Sequence, residues 1–199
     1  MNQIAREYKQ AIIIGASPMG NEAAQLLALL RWAGYGAQEE SCTHDCTTCR
    51  SGCRKPEMKK DIYVIAADGG LGFLLENKLR PDFLVGDLDS IKYNDILTEA
   101  AVKAAIGEIP HEVVPVEKDD TDMLSGIKEG LKRGYRYFYL YGGLGGRVDH
   151  SYANVQCLSY LQKHGARGWL IGKKQVITMI SGGEQICFPE GADGYVIAD

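Results

Sequence analysis

Five times along this chain, a short apolar run rich in β-branched or aromatic residues leads through a Gly- or Asp-rich turn into a segment with helical spacing. The pairs are Ala11 to Ile14 with Glu22 to Trp32, Ile62 to Ala67 with Leu71 to Lys78, and Phe83 to Val85 with Asp95 to Ala105, followed by Glu112 to Val116 with Met123 to Lys132 and Tyr137 to Tyr141 with Asp149 to Lys163. Asn21 is placed to cap the first helix, and Gly34 and Gly36 to end it. Parallel strands need long crossovers, usually helical, so this alternation predicts an α/β fold: a mostly parallel sheet with helices on both faces. After Lys163 the pattern changes to short β-rich pieces, Gly168 to Ile171, Val176 to Ile180 and Gln185 to Phe188, separated by Gly and Lys turns. They are expected to begin a partial antiparallel β domain, so the chain divides into residues 1–165 and 166–199. Residues 35–60 are polar and cysteine-rich with little apolar periodicity, and read as an insert.

A chain of 199 residues buries about 70% of the surface its unfolded form exposes, so its core needs no disulfide or metal. The net charge of −4, without a Lys/Arg-rich run, speaks against nucleic acid or an anionic membrane as partner. No stretch reaches the ~18 apolar residues of a membrane span, and the run before Gly15 is too short for a secretory signal, so a cytoplasmic location is expected. Cys157 and Cys187 stand alone in apolar surroundings and read as small core residues.

Parallel sheets bind ligands outside the carboxyl ends of their strands, and the Asp- and Gly-rich segments all fall at those ends. Asp87 and Asp89 are one residue apart after a strand, so continued alternation points both carboxylates one way, and a divalent cation relieves their repulsion. Asp119, Asp120 and Asp122 stand at a second strand end, where Thr121 or Asp119 also suits a helix N-cap. Asp fills turns and caps in many proteins, so one residue decides nothing; two clusters on one sheet edge point to Mg²⁺, which takes a few carboxylates together with substrate phosphates. The loop Gly142-Gly143-Leu144-Gly145-Gly146-Arg147 lets backbone amides approach an anion, and Arg147 adds a forked cation. It lacks the Gly-Lys-Ser/Thr ending of a Walker loop, and a tight surface turn is its plain alternative. Asp149 and His150 follow directly; His150 suits phosphate contact, proton transfer or a structural hydrogen bond.

Taken in order, Ala67-Asp68-Gly69-Gly70, Pro81 to Ser90 with its Gly86-Asp87-Leu88-Asp89 core, Lys118 to Asp122 and Gly142 to His150 make the chain resemble thiamine pyrophosphokinases, from about Ile62 to Lys163. The resemblance implies transfer of pyrophosphate from ATP to the thiamine hydroxyl, giving thiamine diphosphate and AMP, in a homodimer. By similarity, Asp87, Asp89 and Asp122 hold Mg²⁺ against the ATP phosphates, with Asp68 beside them. Gly142, Gly143, Gly145, Gly146, Arg147, Asp149, His150 and Asn154 engage the nucleotide. Lys118 and Thr121 lie toward thiamine, and Asp122 or Asp119 accepts the hydroxyl proton. In the family a β-sandwich follows the α/β catalytic domain, and thiamine lies between the α/β domain of one subunit and the sandwich of its mate. Residues 166–199 supply about three of those strands, an incomplete sandwich.

Cys42, Cys46, Cys49 and Cys53 in the insert depart from the family pattern. Their spacing suits a structural Zn²⁺ site or an iron–sulfur cluster, with His44 able to replace one ligand and a metal-free thiol-rich loop as the alternative. A different class of function, a non-catalytic nucleotide- or thiamine-binding regulator with the cysteines as a metal or redox input, stands beside the enzyme. Complete Asp and Gly motifs favour the enzyme.

Overall fold

The computed structural model describes residues 9–35, 62–87, 91, 93–95, 97–113, 120–145 and 147–185. The expected strands are β1 (Gln10–Ile14), β2 (Ile62–Ala67), β3 (Phe83–Gly86), β4 (His111–Val113), β5 (Tyr137–Tyr141), β6 (Arg167–Gly172) and β7 (Gln175–Thr178). Between them run α1 (Glu22–Trp32), α2 (Gly70–Glu76), α3 (Glu99–Glu108), α4 (Asp122–Lys132) and α5 (Val148–Lys163). The strands form one sheet in the order β4-β3-β2-β1-β5-β6-β7. Every pairing is parallel except β7 against β6.

β1 lies at the centre because it is apolar on both faces: Ala11 to Ile14 are at most 1% exposed. Ile12 and Ile14 pack with Leu26 and Leu30 of α1, Leu71 and Leu74 of α2, and Val102 of α3. Ile13 packs on the other face with Ile127 of α4 and with Leu158 and Leu161 of α5. The chain thus walks outward from β1 to β4 under α1, α2 and α3, then returns to β5 and β6 under α4 and α5. Right-handed crossovers demand this arrangement, since reversing the direction of travel moves the helices to the opposite face.

β7 runs antiparallel to β6, as expected, but the two strands do not stand apart. They join the main sheet through the parallel register of Tyr137 to Tyr141 against Arg167 to Ile171, so the boundary at residue 166 does not begin a separate sheet. The unused edge of β5 supplies the pairing, and stacking of Trp169 on Tyr139 at 5.1 Å and on Tyr137 at 6.2 Å reinforces it. Residues 186–199, with Cys187 and most of the expected strand Gln185 to Phe188, lie outside the described residues, as do the end of the strand Glu112 to Val116 and the insert residues 36–61 with Cys42, His44, Cys46, Cys49 and Cys53.

Two helix starts also need correction. Asn21 makes no side-chain cap, because its own backbone is already helical (φ −64°, ψ −24°). α3 begins at Glu99 rather than near Asp95, since the extended residue Thr98 accepts a hydrogen bond from the Ala101 amide. Among the described residues, no helix is long and apolar enough to cross a membrane.

Candidate active site

The ends of β2 and β3 are pressed together by backbone geometry. Asp68 follows β2 with φ 48°, a left-handed conformation that Asp tolerates better than most side chains. Its amide donates to the Val85 carbonyl at 2.8 Å, and its carbonyl accepts from Leu71 at the start of α2. Gly86 has φ 135°, and a Cβ there would come within 3.0 Å of the Asp68 Cα, so only glycine fits. Asp87, half-buried, follows at once. Asp68 is 7% exposed, and its Oδ1 is buried without a hydrogen-bond partner among the described residues. A buried carboxylate oxygen left unpaired is costly, and at a sheet edge this cost marks a place for a cation or donor.

Asp122 opens α4 on the opposite face. Thr121 caps that helix, its hydroxyl accepting from the Leu124 amide at 3.2 Å, while Asp120 pairs with Lys128. Of the two expected caps, Thr121 is therefore the one used. Asp89, Lys118, Asp119 and Gly146 lie outside the described residues. Among the described residues, no three of His, Cys, Asp and Glu gather into a ready metal cage.

The glycine loop is tied to the loop after β1. Ser17 donates from its amide to the Gly142 carbonyl at 2.9 Å and from its hydroxyl to the Gly145 carbonyl at 3.3 Å. Gly142 takes φ 62°, with Gly15 so close that a Cβ would lie 2.5 Å from its carbonyl oxygen. From the other side, Ser151 of α5 accepts from the Gly145 amide at 3.2 Å and donates to the Arg147 carbonyl at 3.1 Å. Asn154 is buried beneath the loop and donates to the Gly143 carbonyl at 2.8 Å. The structure therefore places Asn154 as a support of the loop.

Arg147, Asp149 and His150 are exposed at the start of α5. Arg147 forks onto Asp149, Nε to Oδ1 at 3.1 Å and Nη2 to Oδ2 at 2.5 Å, and this pairing holds the Asp149 carboxyl at about 2. The Asp149 carboxylate fills the fork that a phosphate would take.

Sequence reasoning missed Ser17 and Ser151, and took in Gly70 as part of a motif without reading its role. The first two looked like ordinary loop and helix hydroxyls. Gly70 sits so near β1 that a Cβ would stand 1.9 Å from the Ile14 carbonyl oxygen, a contact that only the assembled sheet reveals. A cavity of about 430 Å³ lies at the other edge, where β5 and β6 begin, lined by Arg136, Gln162, Arg167 and Glu184; it shares none of these site residues.

With this geometry in view, the chain matches the family described as thiamin pyrophosphokinase, catalytic domain, over residues 55–170. The chain belongs to that family. The match takes in every described site residue from Asp68 to Asn154. None of the curated proteins matches the sequence. Among solved structures, the thiamin pyrophosphokinase from Geobacillus thermodenitrificans is 23% identical with a TM-score of 0.51, over 80% of this chain and 58% of that one. The thiamine pyrophosphokinase from Bacillus subtilis is 23% identical with a TM-score of 0.53, over 82% and 60%. A protein from Lactobacillus plantarum is 22% identical with a TM-score of 0.53, over 84% and 63%. At this identity the likeness speaks for a shared fold, and the matches reach about three fifths of each of those chains.

Proposed function

We propose that this chain transfers the pyrophosphoryl group of ATP to the hydroxyethyl oxygen of thiamine, releasing AMP and thiamine diphosphate. The observation that carries the reading is the unpaired, buried Oδ1 of Asp68, at a strand end beside Gly86 and Asp87 and within the stretch that matches the catalytic-domain family.

An unpaired carboxylate oxygen at these strand ends suits Mg²⁺, a hard ion that takes oxygen ligands. Asp87, Asp89 and Asp122 would hold the ion, with Asp68 beside them; when bound it neutralises charge on the phosphates. The remaining work belongs to the chain. Thiamine oxygen attacks the β-phosphorus, the bond to the bridging oxygen of the α-phosphate breaks, and AMP departs with the electron pair. Such transfers depend on positioning and on donors around spreading negative charge. Glycine-loop amides, held by Ser17, Ser151 and Asn154, offer rigid donors, and Arg147 exchanges Asp149 for phosphate. His150 lies at the same helix start. Asp122 or Asp119 accepts the hydroxyl proton, while Lys118 and Thr121 lie toward thiamine.

The same reading makes the enzyme a cytoplasmic homodimer, with thiamine between the α/β domain of one subunit and the second domain of its mate. Cys42, Cys46, Cys49 and Cys53 hold a structural Zn²⁺ or an iron–sulfur cluster. The test is AMP release from Mg·ATP with and without thiamine, for the wild type and Asp87→Asn. Thiamine-dependent AMP that disappears in the variant supports the reading; nucleotide binding without turnover replaces it with the binding regulator.

A further inference from the structure

Glu22, the first residue of α1, is a second buried acid that the proposed chemistry does not use. It is 6% exposed, and its Oε2 is shut away without a hydrogen-bond partner among the described residues. A glutamate opening a helix ordinarily faces water, where it complements the helix dipole at no desolvation cost. This one is enclosed by its surroundings. A Cβ on Gly20 would lie 3.0 Å from the Glu22 Oε2 and 2.7 Å from Cγ of Lys173, so the Glu22 oxygen and the aliphatic stem of Lys173 meet at the same corner. Tyr141, the last residue of β5, is in register with Ile171 of β6, and both pack in the core on the α1 face, as does Met19. Burial, then Tyr139, then the Glu22 charge together push the Tyr141 phenol above its ordinary range.

The position is the point at which the sheet reverses. β1 and β5 are neighbours, yet the chain leaves β1 over one face into α1 and leaves β5 over the other into α5. Open α/β sheets bind their ligands where two such connections part. Lys173 is exposed, and entry of a ligand at this corner requires its side chain to swing away. What would enter is set by the walls. A carboxylate only accepts hydrogen bonds and repels phosphate, while Tyr141, Ile171 and the Lys173 stem suit a flat ring. An N–H₂ group on the edge of a heteroaromatic ring satisfies both demands.

We infer that Glu22 reads the exocyclic amino group of the nucleotide's purine base, with Tyr141 and the Lys173 stem as walls for the ring. The inference rests on the ATP reading above and adds its base specificity. A site built to accept a hydrogen bond rejects a ligand that presents an acceptor instead, because two acceptors are then forced together.

The experiment measures binding of ATP and of inosine triphosphate, whose 6-oxo group replaces the amine, to the wild type and to Glu22→Gln with Mg²⁺ present. Wild type is expected to favour ATP by about tenfold or more. In Glu22→Gln the amide can turn either its oxygen or its N–H₂ toward the base, so the ratio falls to within about threefold, through weaker ATP binding. Melting of the unliganded variant at or above the wild-type temperature shows that the fold survives. If it does not fold, Glu22→Asp, which withdraws the carboxylate by one methylene, gives the same readout. A wild-type ratio near one, or a ratio that persists in a folded variant, overturns the inference while leaving ATP binding intact. No nucleotide binding by the wild type overturns the ATP reading and this inference with it.

Discussion

Asn154 on α5 donates through Nδ2 to the carbonyl oxygen of Gly143 at 2.8 Å, inside the protein, and so fixes the glycine loop from below. The bond links a helix to a segment whose glycines give it little stiffness of its own. Asn154→Ala strands the Gly143 carbonyl and is expected to cost about 1–3 kcal/mol. Urea unfolding should show a lower midpoint with an unchanged slope, and ATP affinity should fall with it.

Gly70 and Gly107 make opposite predictions for the same substitution. A Cβ on Gly70 would overlap the Ile14 carbonyl, and no flexible group is there to yield, so Gly70→Ala should prevent stable folding or cost more than about 3 kcal/mol. Nothing lies within 4 Å of a Cβ on Gly107 in α3, where Ala lowers the entropy of the unfolded chain; Gly107→Ala should stabilise by roughly 0.5 kcal/mol. Thermal melts of the two variants check both signs.

The exposed pair of Arg147 and Asp149 predicts a particular acid titration. Its hydrogen bond holds the Asp149 carboxyl at about 2 against an ordinary 3.8. The pairing is therefore complete above pH 3.8 and is lost as pH falls through 2. Solvent screens the pair, so the effect on stability is small and salt-sensitive. Carboxyl ¹³C shifts should place the Asp149 midpoint near 2 in the wild type and return it toward 3.8 in Arg147→Gln.

Much of this arrangement was readable from the chain because local signals agree with the fold. β1 announced burial on both faces through four consecutive apolar residues, and α1 kept its expected ends at Glu22 and Trp32. The sheet membership of β6 was not readable, because its pairing with Tyr137 to Tyr141 spans α5 and no local pattern records a partner that distant. Asp87, Asp122 and the glycine loop stood out through spacing at strand ends. Asp68 gained its meaning from an unpaired oxygen, and Glu22 from enclosure by Gly20 and Lys173, which are properties of packing. In sequence, Glu22 is one more acid in the first turn of a helix.

Cys157 predicts an alkaline limit. Burial pushes its thiol up to about 11, whereas the unfolded thiol ionises near 9.0. Between those values the native state holds more protons, so the contribution is complete below pH 9.0 and is lost as pH rises through 11. The loss is on the order of 2–3 kcal/mol for a shift of this size. Cys157→Ala should flatten that part of the stability profile. In the folded wild type, peptide mapping after alkylation at pH 8 should find Cys157 unmodified.

Asp68 ties stability to ligand binding in a way that one variant can expose. Its left-handed backbone is one that Asn also accepts, so Asp68→Asn preserves the turn while removing the charge from a buried site. The free protein should then gain about 1 kcal/mol, since an unpaired buried carboxylate is more costly than an amide. If the same oxygen belongs to the Mg·ATP edge, the gain carries a loss. Ligand at a hundred times its Kd stabilises a protein by about 2.7 kcal/mol, and in Asp68→Asn that increment should shrink toward zero at the same concentrations. Melting curves with and without Mg·ATP measure both effects in one experiment. A variant that is more stable alone yet keeps the full ligand-induced shift would place Asp68 outside the binding edge and leave its unpaired oxygen as strain in the turn between β2 and α2.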